Sequence, residues 1–266
     1  MAGTFSFGWQ PDFPDHRDLM FSAAAGVLQA LPASVDLRAK CPPVYDQARL
    51  GSCTANAIAG AMQFEREKAG QTPDFVPSRL FIYYNERAME HTVAYDAGAR
   101  IRDGIKCVNK QGVCSETEWP YSDAGHPQTE NDPFASGAPA ATKPPAQAYT
   151  DAQAYKVTSY LRLNQTLPQL QGCLAAGYPF VFGFTVYENL YGPDGKPVIV
   201  LPMPSGRAIG GHAVMAVGYD NATSQFVIRN SWGPLNQDHG YFYMPYAYVT
   251  ESTLCSDFWT VRVIED

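Results

Sequence analysis

Apolar residues recur at helical spacing from Cys53 to Lys68. Ala55, Ile58, Ala59 and Met62 form one stripe, and Glu65, Arg66, Glu67 and Lys68 give the stretch a polar end. This spacing predicts a helix over 53–68, stopped by Gly70 and Pro73. The same periodicity predicts helices over 78–90, with Ser78 as cap, and over 98–111, ended by Gly112. Ahead of them, residues 1–18 are polar, aromatic and proline-containing and read as an extended segment. FSAAAGVLQA then reads as a short helix ending near Pro32.

Past residue 150 the pattern changes to strand-like runs at 155–161, 179–186, 197–201, 212–219, 225–229 and 240–244, interrupted by a helical stretch at 166–176. Residues 122–150 are rich in Pro, Ala, Gly and Ser and are expected to form a long surface connection. The expected organisation is an N-terminal extension over 1–30, a helical lobe over about 45–121, that connection, a strand-rich lobe over about 151–250, and a C-terminal segment over 251–266. Two lobes of different type meet at a cleft, where ligand sites tend to form.

Composition narrows the class. The chain has 266 residues, 45% hydrophobic and 17% charged, which supports a sizeable core and argues against wholesale disorder. A formal net charge of -7 speaks against a nucleic-acid partner, which calls for a basic stripe. No apolar run reaches the length of about eighteen residues that a membrane helix needs. The opening MAGTFSFGWQPDFPDHRD lacks a basic region followed by an apolar core, so it does not read as a signal peptide. Cytoplasmic residence and export by another route both stay open.

Six cysteines stand at 41, 53, 107, 114, 173 and 255. There is no C-x-x-C pair and no H-E-x-x-H, so no metal or cofactor is expected. Cys53 has the setting of a nucleophile: it follows Gly51 and Ser52 where a helix begins. A thiol attacks carbonyl carbon as thiolate, and a helix N-terminus or a neighbouring imidazolium lowers its pKa. Gly51 suits a tight turn and Ser52 a helix cap. With Cys53 kept free, five cysteines remain and at most two disulfides can form; Cys107 and Cys114 are the first pair to consider.

Of the five histidines, 16, 91, 126 and 239 lie in irregular or surface-reading stretches, whereas His212 stands in GGHAVMAVGY. A second strand, FVIRNSWG, ends at Asn230. If the two strands pair, the Asn230 side-chain oxygen accepts the His212 ring N–H and fixes its tautomer, the third-group role in a catalytic triad. Trp232 then covers that bond from water.

The order LPASVDLR, DQ…GSC, GHAVMAVGY, RNSWG resembles the papain-like cysteine proteases from about residue 31 to the C-terminus, and its wording is most similar to bacterial members. The resemblance implies an α+β two-lobe fold: a helical N-terminal lobe, an antiparallel β-barrel-like C-terminal lobe, and the active site in the cleft between. It implies Cys53 as nucleophile, His212 as general base and then acid, Asn230 as orienting residue, and Gln47 as donor to the oxyanion together with the Cys53 backbone N–H. Departures from the family pattern are Thr54 after the cysteine, Leu50 in place of a disulfide cysteine, Gly211 beside the histidine, and PLNQDHG where a second tryptophan is usual.

On the substrate side, the resemblance aligns YDAGARIRDGIK with the family's backbone-binding glycine pair, which puts Gly98 and Ala99 at those positions. Arg100 and Ile101 then fall near the main specificity pocket, with Gly211 and Ala213 across from them and Trp232 nearby. An Arg100 facing the pocket would favour acidic or long polar side chains. The expected activity is that of a cysteine endopeptidase; an amidase or acyltransferase using the same triad, and a silent peptide-binding module, are the competing readings. The expected partners are a peptide or protein substrate and the protein's own residues 1–30, lying along the cleft as a short propeptide, with a tail packed on a lobe surface as the alternative and the enzyme a monomer.

Overall fold

A computed structural model describes residues 6–71, 75–129 and 132–263; Pro73 lies outside them. The elements in chain order are α1 (Ala25–Gln29), β1 (Ser34–Asp36), α2 (Cys53–Lys68), α3 (Arg79–Met89), α4 (Ile101–Lys110), α5 (Ala146–Ala152), β2 (Ser159–Arg162), α6 (Leu167–Ala175), β3 (Phe180–Tyr187), β4 (Ala208–Asp220), β5 (Gln225–Arg229), β6 (Tyr241–Pro245), α7 (Tyr246–Val249) and β7 (Cys255–Arg262). Helices α2, α3 and α4 pack on one another, and the second half of the chain builds an antiparallel sheet in the order β2-β7-β3-β4-β5-β6, with β1 added against β4. The two ends of that order do not pair, so the sheet is open and twisted rather than barrel-like.

Helix α2 lies between the other helices and the sheet, touching β4, β7 and β3 as well as α3 and α4. Every residue from Cys53 to Arg66 is therefore buried. The polar end is split: Glu67 and Lys68 are exposed, whereas Glu65 and Arg66 are buried, the Arg66 guanidinium lying over the rings of Phe75 and Tyr155 at 5.1 and 4.8 Å. Ser78 caps α3 as its position suggests, its side chain accepting from the Phe81 N–H.

Three expectations are revised. Residues 132–152 are no free surface connection, because Ala138, Ala140, Ala148 and Ala152 are buried, Arg87 donates to the Ala140 carbonyl, and the Tyr149 hydroxyl bonds Asn85 at 2.9 Å. Small alanines let this stretch pack closely on α3, which a composition reading takes for a linker. The run at 197–201 forms only isolated bridges, Tyr191 to Pro197 and Val200 to Tyr243. Strand β7, read as a tail, is central instead, paired with β2 on one side and β3 on the other. All six cysteines carry free thiols, Cys107 and Cys114 included.

Candidate active site

Three pieces of backbone converge at the cleft: the turn before α2, the edge of β4 at Gly211–Ala213, and the end of β5. The turn is held by the Asp96 carboxylate, which accepts the Gly51 N–H at 2.9 and 3.1 Å. Ser52 does not cap α2 by its side chain. Its Oγ instead lies 2.5 Å from the Tyr121 hydroxyl and accepts from Asn56 at 3.1 Å. His126, read as solvent-facing, is part-buried with Nε2 3.1 Å from Asp96.

β4 and β5 pair in register, Met215 opposite Arg229, and this sets His212 beside Asn230. His212 Nε2 lies 2.8 Å from Asn230 Oδ1. The Ser231 backbone N–H donates to the same Oδ1 at 2.9 Å, and Asn230 Nδ2 donates to Gln237 Oε1 at 2.8 Å. A backbone N–H can only donate, so that atom is an oxygen and Nε2 carries the ring proton. The lone pair therefore sits on Nδ1, which has no hydrogen-bond partner. Trp232 stacks on the imidazole at 4.7 Å and 25°, and Phe184 meets it edge-on at 5.8 Å, so the pair is shut off from water.

Gln47 is fully buried. Its Oε1 accepts from the Ser231 hydroxyl at 2.6 Å, which turns Nε2 toward the Leu50 carbonyl at 2.9 Å and the Ser6 carbonyl at 3.1 Å. Neither Ser231 nor Gln237 was singled out from sequence. Ser231 lies inside the RNSWG motif, and Gln237 lies in the stretch that departs from the family pattern. Its amide bonds both Asn230 and the Val198 carbonyl, at 2.9 Å to the latter.

Ser6 belongs to the N-terminal segment, which runs through the cleft. The Ala99 N–H donates to the Gly8 carbonyl at 2.8 Å, the Gln10 N–H to the Ala99 carbonyl at 3.0 Å, and the Trp9 N–H to the Gly211 carbonyl at 2.9 Å. Gly98 has a left-handed φ of 68°, and a Cβ there would lie 1.9 Å from the Gly8 carbonyl oxygen. Phe7 sets its ring edge-on to His212 at 6.0 Å and to Trp232 at 6.2 Å. Further along, the Asp12 and Asp18 carboxylates meet the Arg102 backbone N–H at 3.1 Å and its guanidinium at 2.5 Å, and Arg162 bonds Asp18 at 2.9 Å.

This cover sets the electrostatics. Burial pushes the Cys53 thiol up to about 12, against backbone hydrogen bonds from Ala213, Gly8 and Thr54 that pull it down. Burial likewise pulls His212 down to about 4, against the Asn230 hydrogen bond. Covered, the pair rests as thiol and neutral imidazole, and desolvation outweighs the helix N-terminus that the sequence suggested as activator.

The remaining expected residues fall around the same cleft. Ile101 and Ala213 are buried walls. Arg100 does not present a free charge: its Nη1 pairs with Glu90 at 3.2 Å and its guanidinium covers Phe13 at 4.3 Å. A preference for acidic side chains through Arg100 is thus unsupported.

The papain family cysteine protease model matches residues 31–257. An uncharacterised peptidase C1-like protein of Acanthamoeba polyphaga mimivirus is 36% identical across 98% of this chain and 88% of its own. A cathepsin B-like protein of Giardia intestinalis is 29% identical over 79% of this chain and 68% of its own. Among solved structures, xylellain, a cysteine protease from Xylella fastidiosa, superposes with a TM-score of 0.92 at 50% identity, covering 98% of this chain and 97% of that one. The stem bromelain precursor, at 17% identity and a TM-score of 0.70 over 99% of this chain and 79% of its own, shares the fold. On this ground the chain belongs to the papain family of cysteine proteases, with the α+β papain-like fold.

Proposed function

We propose that this cysteine peptidase is an endopeptidase held inactive by its own N-terminal segment, and that Cys53, His212, Asn230 and Gln47 carry its chemistry. With the segment displaced, His212 Nδ1 takes the proton from Cys53 Sγ, and the sulfur attacks the peptide carbonyl carbon. The carbonyl electron pair moves onto oxygen, where Gln47 Nε2–H and the Cys53 backbone N–H receive it. The imidazolium, steadied by Asn230, returns its proton to the departing amine and leaves a thioester on Cys53. Water, deprotonated by His212, then hydrolyses the thioester and regenerates the thiol.

The carrying observation is that Gln47 Nε2 already donates to the Ser6 carbonyl at 3.1 Å, so the oxyanion donor is occupied by the enzyme's own chain. The test uses the full chain. A Cβ on Gly8 would lie 1.7 Å from the Gly51 carbonyl oxygen, so Gly8→Val removes the segment from the cleft. A substrate-like epoxide should label Cys53 at least tenfold faster in Gly8→Val, and peptide cleavage should rise with it. An unchanged labelling rate sinks the restraint.

A further inference from the structure

The indole of Trp9 occupies a slot on the cleft face of the sheet. In the β3–β4 pair Gly183 stands opposite Ala213 and Thr185 opposite Gly211, so these four positions share one face. A methyl on Gly183 would lie 1.9 Å from the indole Cε2, and one on Gly211 would lie 2.8 Å from Cε3. The ring thus fills the volume that two absent side chains leave. The slot ends on Asp257, which is 2% exposed and has a left-handed φ of 60°; its Oδ2 accepts the Trp9 Nε1–H at 3.2 Å and the Asp12 N–H at 2.8 Å.

We propose that, once the segment leaves, this slot selects peptide substrates by a tryptophan side chain, with Asp257 as the specificity-determining acceptor of the indole N–H. The inference rests on the peptidase reading above. Three observations single out an indole. The groups that hold the Trp9 backbone, Ala99 and Gly211, are those facing a substrate backbone. Departure of the segment strips two donors from a buried carboxylate oxygen, so a ligand that restores a donor gains over one that does not. The charge of Asp257 is already met by Arg162, whose Nη2 lies 3.4 Å from Oδ1. Arg102 stands nearby, its guanidinium, like that of Arg162, over the Trp259 ring at 5.5 and 5.6 Å. An incoming guanidinium or ammonium would face both cations, whereas an indole brings a neutral donor. A phenyl or isobutyl group fills the slot and leaves Oδ2 without a donor.

The experiment measures labelling of Cys53 in the native full chain by peptidyl epoxides that differ in one residue: Trp, Phe, Leu or Arg. The share of time the cleft is open scales every probe equally, so ratios between probes report the slot alone. The tryptophan probe should react about tenfold faster than the phenylalanine probe. Asp257→Asn keeps an acceptor and should keep the ratio, Asp257→Ala should bring it to about one, and Gly183→Ala should slow the tryptophan probe most. Equal Trp and Phe rates, or a fastest Arg probe, overturn the assignment while leaving the peptidase reading standing. Where the native chain is not labelled the same ratios are read in Gly8→Val, and absence of labelling by any probe there too overturns both.

Discussion

His212 Nε2 lies 2.8 Å from Asn230 Oδ1, and the Ser231 N–H on that same oxygen decides which atom of the amide points at the ring. The bond leaves the imidazole lone pair on Nδ1. Asn230→Ala removes the acceptor and lets the ring adopt the other tautomer. The expected result is a kcat loss of about 10²-fold or more with KM little changed, read in the Gly8→Val background. A KM effect alone would contradict the orienting role.

In the proposed mechanism Ser231 acts through Gln47. Its hydroxyl bonds Oε1 at 2.6 Å and so aims Nε2 at the Ser6 carbonyl, where the proposal puts the oxyanion. Gln47→Ala should lower kcat by about 10²–10³-fold, and Ser231→Ala by a smaller factor, with the double variant no worse than Gln47→Ala. Additive losses would show that the two act separately.

The contribution of Asp12 to docking of the segment should weaken as pH rises. Asp12 sits in the cover with its carboxyl raised to about 7, first by burial and then by the charge of Asp257, against hydrogen bonds from Trp259 and Arg102. A released Asp12 titrates near its ordinary 3.8. The docked form binds the proton more tightly, so this contribution to docking is fully present below about 3.8 and is lost as pH rises toward 7. The same cover pulls His212 down to about 4 and raises Asp257, so the Asp12 part is read by difference: the Cys53 labelling rate of the native chain divided by that of Asp12→Asn should climb across that window. A flat ratio would contradict the linkage.

Thr54, the departure after the nucleophile, has a partner. Its Oγ1 donates to Glu86 Oε1 at 2.6 Å. Glu86 is fully buried, its Oε2 has no hydrogen-bond partner, and a Cβ on Gly104 would lie 2.5 Å from that oxygen. Burial holds the carboxyl well above its ordinary 4.5, so stability is lost as pH rises from 4.5 through its raised value. Glu86→Gln should therefore raise the unfolding midpoint at pH 8, with the gain closing below pH 4.5, whereas Glu86→Ala should cost about 3 kcal/mol below pH 4.5 and less at pH 8, where it too removes the buried carboxyl. Urea titrations at the two pH values separate these outcomes.

Much of the site could be read from the chain because its parts are local. The bounds of α2 and β5 follow from periodicity, and Cys53, His212 and Asn230 each sit in a short motif whose chemistry demands that residue type. Gln47 was legible only through resemblance, since a loop glutamine has no pattern of its own. The aromatic, proline-rich GWQPDFPDHRD spoke against a plain flexible tail, but between the cleft and a lobe surface the sequence did not choose; the Trp9, Gln10 and Ala99 backbone bonds did.

What only the tertiary structure decided is everything that depends on who covers whom. The helix N-terminus suggests an activated thiolate, yet the segment over Cys53 removes water and raises the thiol instead, because desolvation is a property of the whole surroundings. Arg100 looks like a pocket charge until Glu90, ten positions earlier in the chain (90 against 100), is found paired with it. Asp257 and Trp9, 248 residues apart, meet only because β7 inserts between β2 and β3. No spacing rule carries information across that distance; strand order does.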